Sequence, residues 1–120
     1  MESILEGVKV VELATYAAAP GTARMLADWG ATVIKVESPG GDAMRAFSKN
    51  MGMPDTDQES PIFQLENANK TGICIDLKKP GGLEVLHKLL EDGYIFHGNS
   101  SDAFTLTFII NYINSPEICP

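Results

Sequence analysis

The chain reads as β-α-β-loop-β-α-β, which predicts an α/β layer fold with a largely parallel sheet. Three observations carry that prediction. Residues 8–14 form a nearly continuous β-branched run around Val8, Val10 and Leu13, which suits a strand covered on both faces. Pro20 and Gly30 bracket a helix that leads within a residue or two into a second such run at residues 31–36. Farther on, Leu83, Leu86, Leu89 and Leu90 lie at helical spacing between Pro80 and Gly93, with an apolar run on either side.

Composition sets the outer limits. A length of 120 residues suits one modest core, and 44% hydrophobic with 21% charged residues excludes disorder for most of the chain. A net charge of -7 argues against coating nucleic acid or an anionic membrane, because the overall field repels phosphate. Cys74 and Cys119 lack metal-ligand spacing, so no metal is expected and a reducing, cytoplasmic setting is. The first residues have neither a basic start nor an apolar run, and no segment is long enough to span a bilayer.

Element by element, Ile4 and Leu5 form a lead-in to the first strand. The turn at residues 14–19 lies at that strand's carboxyl end, where ligands collect in open α/β sheets. Ala17, Ala18, Ala19 and Gly21 let a ligand approach the backbone closely, or equally let the helix pack tightly on the sheet. In the helix, Ala23, Met25, Leu26 and Trp29 read as the apolar side, with Trp29 in the core, and Arg24 with Asp28 as a solvated i,i+4 pair. Ser38 to Asp42 is a turn cluster in which Asp42 is expected to bond backbone N–H groups. A short helix is expected over residues 43–48, then a loop over 50–61 whose acidic part, 54–59, reads as mobile. Residues 62–64 fit either a helix or a strand. Ile73, Ile75 and Leu77 alternate as in a third strand, and a fourth begins at residues 94–96. Residues 104–113 are apolar and uncharged without caps or turns, a tail that docks on the sheet or drives self-association.

Four ordered motifs narrow the reading. They are Val10-Val-Glu-Leu13, the run from Arg24 through Trp29-Gly-Ala to Lys35-Val-Glu37, Gly41-Asp42-x-x-Arg45, and Asn67-x-Asn69-Lys70 ahead of residues 73–78. Together they resemble the N-terminus of the family III CoA-transferases, the group of formyl-CoA transferase, carnitine CoA-transferase and α-methylacyl-CoA racemase. Glu12-Leu-Ala-Thr-Tyr16 and Glu66-Asn-Ala-Asn-Lys70 look most like the branch acting on 2-hydroxy acids such as 2-hydroxyisocaproate or phenyllactate in amino-acid fermentation. The fold implied is a three-layer, Rossmann-like parallel sheet, the N-terminal part of that family's large domain.

The resemblance implies a coenzyme A site and no metal. It puts Thr15, Tyr16, Ala17 and Ala18 against CoA, Ile75 beside the adenine and Lys78 near phosphate, a task that suits a point cation. Ser38 stands where relatives often carry an arginine, so an ion pair to the nucleotide is lost there. Asn99 falls where relatives have an asparagine followed by an aromatic, but Ser100 follows here. The implied reaction moves CoA between an acyl-CoA and a small carboxylic or 2-hydroxy acid through an aspartyl-CoA intermediate. The nucleophilic aspartate of relatives lies beyond residue 120, so none of Asp28, Asp42, Asp76 and Asp92 is assigned that role, and His87, on the exposed side of its helix, and His97 have no triad partner. Alternative readings are an inactive CoA-binding or non-functional fragment, and a fragment of an acyl-CoA racemase. Relatives form interlocked homodimers, a topology that a fragment is not expected to reproduce. The resemblance covers residues 1–96. Residues 97–120 diverge, and a shift of reading frame near residue 93 would account for both the junction and the unpatterned tail.

Overall fold

A computed structural model describes residues 2–54, 56, 59–92 and 95–98. In chain order the elements are β1 (Lys9–Leu13), α1 (Ala18–Asp28), β2 (Thr32–Glu37), α2 (Met44–Asn50), α3 (Pro61–Asn67), β3 (Thr71–Cys74), α4 (Pro80–Glu91) and β4 (Ile95–Gly98). The described strands form one four-stranded parallel sheet in the order β3-β2-β1-β4. The chain therefore winds outward from β1 to β3 and then crosses back to place β4 on the other side of β1. In a sheet of this kind the carboxyl ends of the two strands at the reversal, here β1 and β4, flank the natural ligand crevice.

Alternation along the strands separates two cores. Val10 and Val33 face α1 and pack with Ala23, Ala27 and Ala31. Val11, Leu13 and Val36 face the other way and pack with Ile75, Leu86 and Leu90, so α4 covers the second face and the architecture is three-layered. Burying a leucine such as Leu86 completely contributes roughly 1.5–3 kcal/mol, and the α4 leucines supply much of this layer's adhesion. Gly30, at φ 101, ends α1, with the Ala31 N–H donating to the Leu26 carbonyl at 3.0 Å.

Several expectations are revised. Residues 62–64 belong to a helix, α3, entered through Pro61. The third strand stops at Cys74, although Ile75 remains buried in the same core. Met25 and Trp29 are 52% and 48% exposed, so neither is core. The cause is close helix-on-sheet packing: Pro20, Ala23 and Ala27 take the inner face of α1, and Met25 lies two residues, about 200° of helical turn, from Ala23. His87 is half-buried rather than on an exposed face. The expectations for Tyr94, for residues 55, 57 and 58 of the mobile loop, and for Asn99, Cys119 and the apolar tail lie outside the described residues.

Candidate functional site

The carboxyl end of β1 opens into an exposed turn, Thr15 to Ala18, in which Tyr16 is left-handed at φ 65. A bulky residue there carries a backbone cost on the order of 1–3 kcal/mol that the surroundings must offset. Asp42 supplies the restraint, its Oδ1 accepting the Tyr16 N–H at 3.1 Å and the Met44 N–H at 2.9 Å. It thus acts as the expected turn-former, and it also ties the turn after β1 to the loop after β2. Ala17 precedes α1 with no side-chain cap, which leaves N–H groups and the positive end of the helix dipole at an exposed, small-residue surface.

Beneath the turn lies a cluster of four buried charges. Lys35 Nζ lies 2.9 Å from Glu12 Oε1, 2.9 Å from Asp42 Oδ2 and 2.9 Å from the Ala14 carbonyl. Lys70 Nζ lies 2.6 Å from Glu12 Oε2, 2.7 Å from the Pro20 carbonyl and 2.8 Å from Asn67 Oδ1. Each ammonium thus makes two hydrogen bonds and one further close ion contact, to Asp42 Oδ2 and Glu12 Oε2 respectively, two oxygens without a hydrogen bond of their own among the described residues, and two cations balance two carboxylates. That balance is what allows charge to stay buried. Burial pulls the Lys70 ammonium below its ordinary range, and the Glu12 carboxylate pulls it back up.

One strand over, an open groove of about 320 Å³ runs between the ends of β2 and β3, with Glu37, Ser38, Arg45 and Cys74 among its lining. Arg45 spans Glu37 with Nε at 2.9 Å from Oε2 and Nη2 at 2.7 Å from Oε1, and its guanidinium stacks 3.8 Å from the centre of the Phe63 ring. The Arg45 side-chain hydrogen bond, more than any other influence, holds the Glu37 carboxyl below the usual carboxylate range. The Asp42 N–H and the charges of Arg45 and Lys35 add to it, against burial.

The sequence profile of CoA-transferase family III matches residues 5–120. The chain belongs to this family. It is 51% identical over 96 residues to (R)-2-hydroxy-4-methylpentanoate CoA-transferase of Clostridioides difficile, which covers 80% of this chain and 24% of that enzyme. It is 43% identical over 97 residues to cinnamoyl-CoA:phenyllactate CoA-transferase of Clostridium sporogenes, covering 81% and 24%. Among solved structures, a CAIB/BAIF family protein from Brucella suis superposes with a TM-score of 0.78 at 32% identity, over 98% of this chain and 30% of that one. The chain thus spans about a quarter of the length of the curated relatives it matches.

Within this family III chain the site residues expected from sequence fall into two groups. Thr15, Tyr16, Ala17 and Ala18 form the exposed turn after β1, and the Tyr16–Asp42 bond joins that turn to the loop that starts at Ser38. Ile75 joins the end of β2 through its N–H to the Glu37 carbonyl at 2.9 Å, but its side chain is 8% exposed and packed in the α4 core. Lys78 stands exposed before α4, its N–H bonded to Asp76 Oδ1 at 3.1 Å. Asn99 lies outside the described residues. His97, dismissed as a triad member, comes to the same end of the sheet, with Nε2 2.9 Å from the Ala19 carbonyl. The buried cluster escaped the sequence reading, although it left a signal there: Glu12 and Lys35 are opposite charges inside two apolar runs. The register pairs them directly, Glu12 with Lys35.

Proposed function

We propose that this chain is the coenzyme A-binding N-terminal part of a CoA-transferase that moves CoA between an acyl-CoA and a small carboxylic or 2-hydroxy acid. The observation that carries the reading is the 51% identity to an enzyme named for a 2-hydroxy acid. The local chemistry fits the carrier. The uncapped start of α1 and the small side chains of Ala17 and Ala18 suit a close backbone approach by a diphosphate, and Lys78 offers an exposed cation on the neighbouring loop. In this reading Thr15, Tyr16, Ala17 and Ala18 hold the carrier, with Ser38, Ile75, Lys78 and Asn99 farther along the carboxyl edge.

The covalent step belongs elsewhere. An aspartyl-CoA intermediate needs a carboxylate free to attack a thioester carbonyl. Here Asp28 is held by Arg24 and Asn69, Asp42 by Lys35 and two N–H groups, Asp76 by the Lys78 N–H, and Asp92 by Lys9. The resemblance to the family puts the nucleophilic aspartate beyond residue 120, so in this reading the 120 residues supply binding and not the nucleophile, in a cytoplasmic setting. Residues 1–96 carry the family's domain and 97–120 diverge from it. The family match that continues to residue 120 makes sequencing across the junction the check on that boundary. Titration calorimetry with CoA on the purified chain is expected to show binding, and a transfer assay with an acyl-CoA donor and a 2-hydroxy acid acceptor is expected to show no turnover. Turnover that vanished on mutating one of the chain's own carboxylates would overturn the assignment.

A further inference from the structure

The Glu12–Lys35–Asp42–Lys70 cluster lies under the Thr15 to Ala18 turn, and no side chain in it is more than 2% exposed. The two oxygens of Asp42 do different work. Oδ2 faces Lys35 Nζ at 2.9 Å, and Oδ1 faces the N–H of Tyr16 and of Met44. A carboxylate can rotate about its Cβ–Cγ bond, and the Lys35 charge beside Oδ2, an oxygen with no hydrogen bond of its own among the described residues, favours the rotation in which Oδ1 meets the turn. Lys35 is held in its turn by Glu12 and the Ala14 carbonyl, and Glu12 by Lys70, which also grips the Pro20 carbonyl in the first turn of α1. The cluster thus grips both flanks of the turn, at Ala14 and at Pro20, and its centre through Asp42.

We propose that Lys35 and Asp42 are positioning residues for the coenzyme A turn: the buried ion pair fixes Tyr16 in its left-handed conformation and so presets the backbone of residues 15–18 for the ligand. The inference rests on the coenzyme A reading of that turn. Without the Asp42 contact, Tyr16 would relax to an ordinary φ, and residues 17 and 18 would turn with it. A preset backbone binds more tightly because less ordering remains to be done on binding. A ligand-free network of this composition could instead serve only to hold the sheet and helices together, and the test separates the two roles.

The test compares the parent chain with Asp42→Asn and with the double variant Lys35→Met/Asp42→Asn. The single variant puts a neutral side-chain amide beside Lys35 and leaves one uncompensated buried cation. The double variant is neutral again and, like the single one, keeps an oxygen for the Tyr16 N–H, but it has no ion pair to orient that oxygen. Amide hydrogen exchange is read at Tyr16, with Leu86 in the α4 core as the fold control, and CoA affinity is read by calorimetry. In Asp42→Asn we expect Tyr16 exchange at least tenfold faster with Leu86 unchanged, and CoA affinity at least tenfold weaker. The double variant, neutral again but without the ion pair, should keep both effects while Leu86 stays as protected as in the parent. Unchanged Tyr16 exchange in the single variant overturns the proposal, as does faster Tyr16 exchange with unchanged CoA affinity. If the single variant also loses protection at Leu86, the double variant decides: with Leu86 protected, it must still exchange fast at Tyr16, and slow exchange there overturns the proposal. A parent chain that binds no CoA counts against the coenzyme A reading, while the exchange data still decide whether the pair sets the turn.

Discussion

Two stretches of the same carboxyl edge are built from the same chemistry and held in opposite ways. At the end of β1, four charges are sealed beneath an exposed turn, and each ammonium makes two hydrogen bonds and a further ion contact to a carboxylate. At the groove between β2 and β3, a single pair, Arg45 with Glu37, sits at the rim, with the arginine side chain 46% exposed. Burial makes the first arrangement intolerant of any single loss, since a charge left behind has no water to turn to. Exposure lets the second arrangement open and close at little cost.

The sharpest way to break this contrast is Lys35→Met. It removes one cation from a neutral quartet, leaving Glu12 with Lys70 alone and Asp42 without the cation that faces its Oδ2. Breaking a buried pair by removing one partner costs about 3–5 kcal/mol. We expect a loss of that size in denaturant-induced unfolding, a large part of the stability of a domain this small. A loss below about 1 kcal/mol would place the cluster in the same class as the exposed groove pair and erase the distinction.

The legibility of the two stretches in the sequence runs opposite to their burial. The strands, α1, α4 and their order could be read because hydrophobic periodicity, Pro20, Gly30 and Pro80 are local signals. Thr15 to Ala18 could be placed because a turn after a first parallel strand needs only that order. The cluster could not be assembled, because Glu12, Lys35, Asp42 and Lys70 come from four separate segments and only the β1–β2 register and the packing of α3 bring them together. The four motifs that marked the family contain all four of these residues, so much of what was recognisable in them is support for the turn. Trp29 and Met25 were misplaced for the converse reason. Their hydrophobicity is a local signal, but the alanine face of α1 packs too closely on the sheet to admit them.

The groove side can be probed without touching charge. Gly82 lies in the first turn of α4, and a Cβ there would run into the Asp76 carbonyl and press on Ile75 Cγ2. The obstacle is backbone, which cannot swing aside as a side-chain end could. Gly82→Ala is expected to push α4 from the end of β3 and cost about 1–3 kcal/mol, the range of overpacking, despite alanine's better helix propensity. If the two stretches are independently held, Tyr16 exchange should stay at the parent rate while the amide of Ile75, bonded to Glu37, exchanges faster. Equal acceleration at both would show that the edge moves as one piece.

The mildest probe is Arg45→Met, which keeps much of the contact with Phe63 and removes the pair to Glu37. Partial exposure of the arginine limits the loss to about 1 kcal/mol near neutral pH. The pH dependence is more telling. The folded chain holds Glu37 below its ordinary carboxylate value, chiefly through the Arg45 hydrogen bond, so the unfolded state binds more protons between the two values. That contribution is fully present above the ordinary glutamate value and is lost as the pH falls through the lowered one. The parent and Arg45→Met should therefore differ most near neutral pH and converge on acidification. Glu84 and Lys88, an i,i+4 pair at 2.9 Å on the outer face of α4, supply the control. The Lys88 hydrogen bond lowers Glu84 in the same direction, but both groups are fully exposed, so Glu84→Gln should leave the unfolding midpoint unmoved. A Glu84→Gln effect as large as that of Arg45→Met would mean that the groove pair gains nothing from its partial shelter.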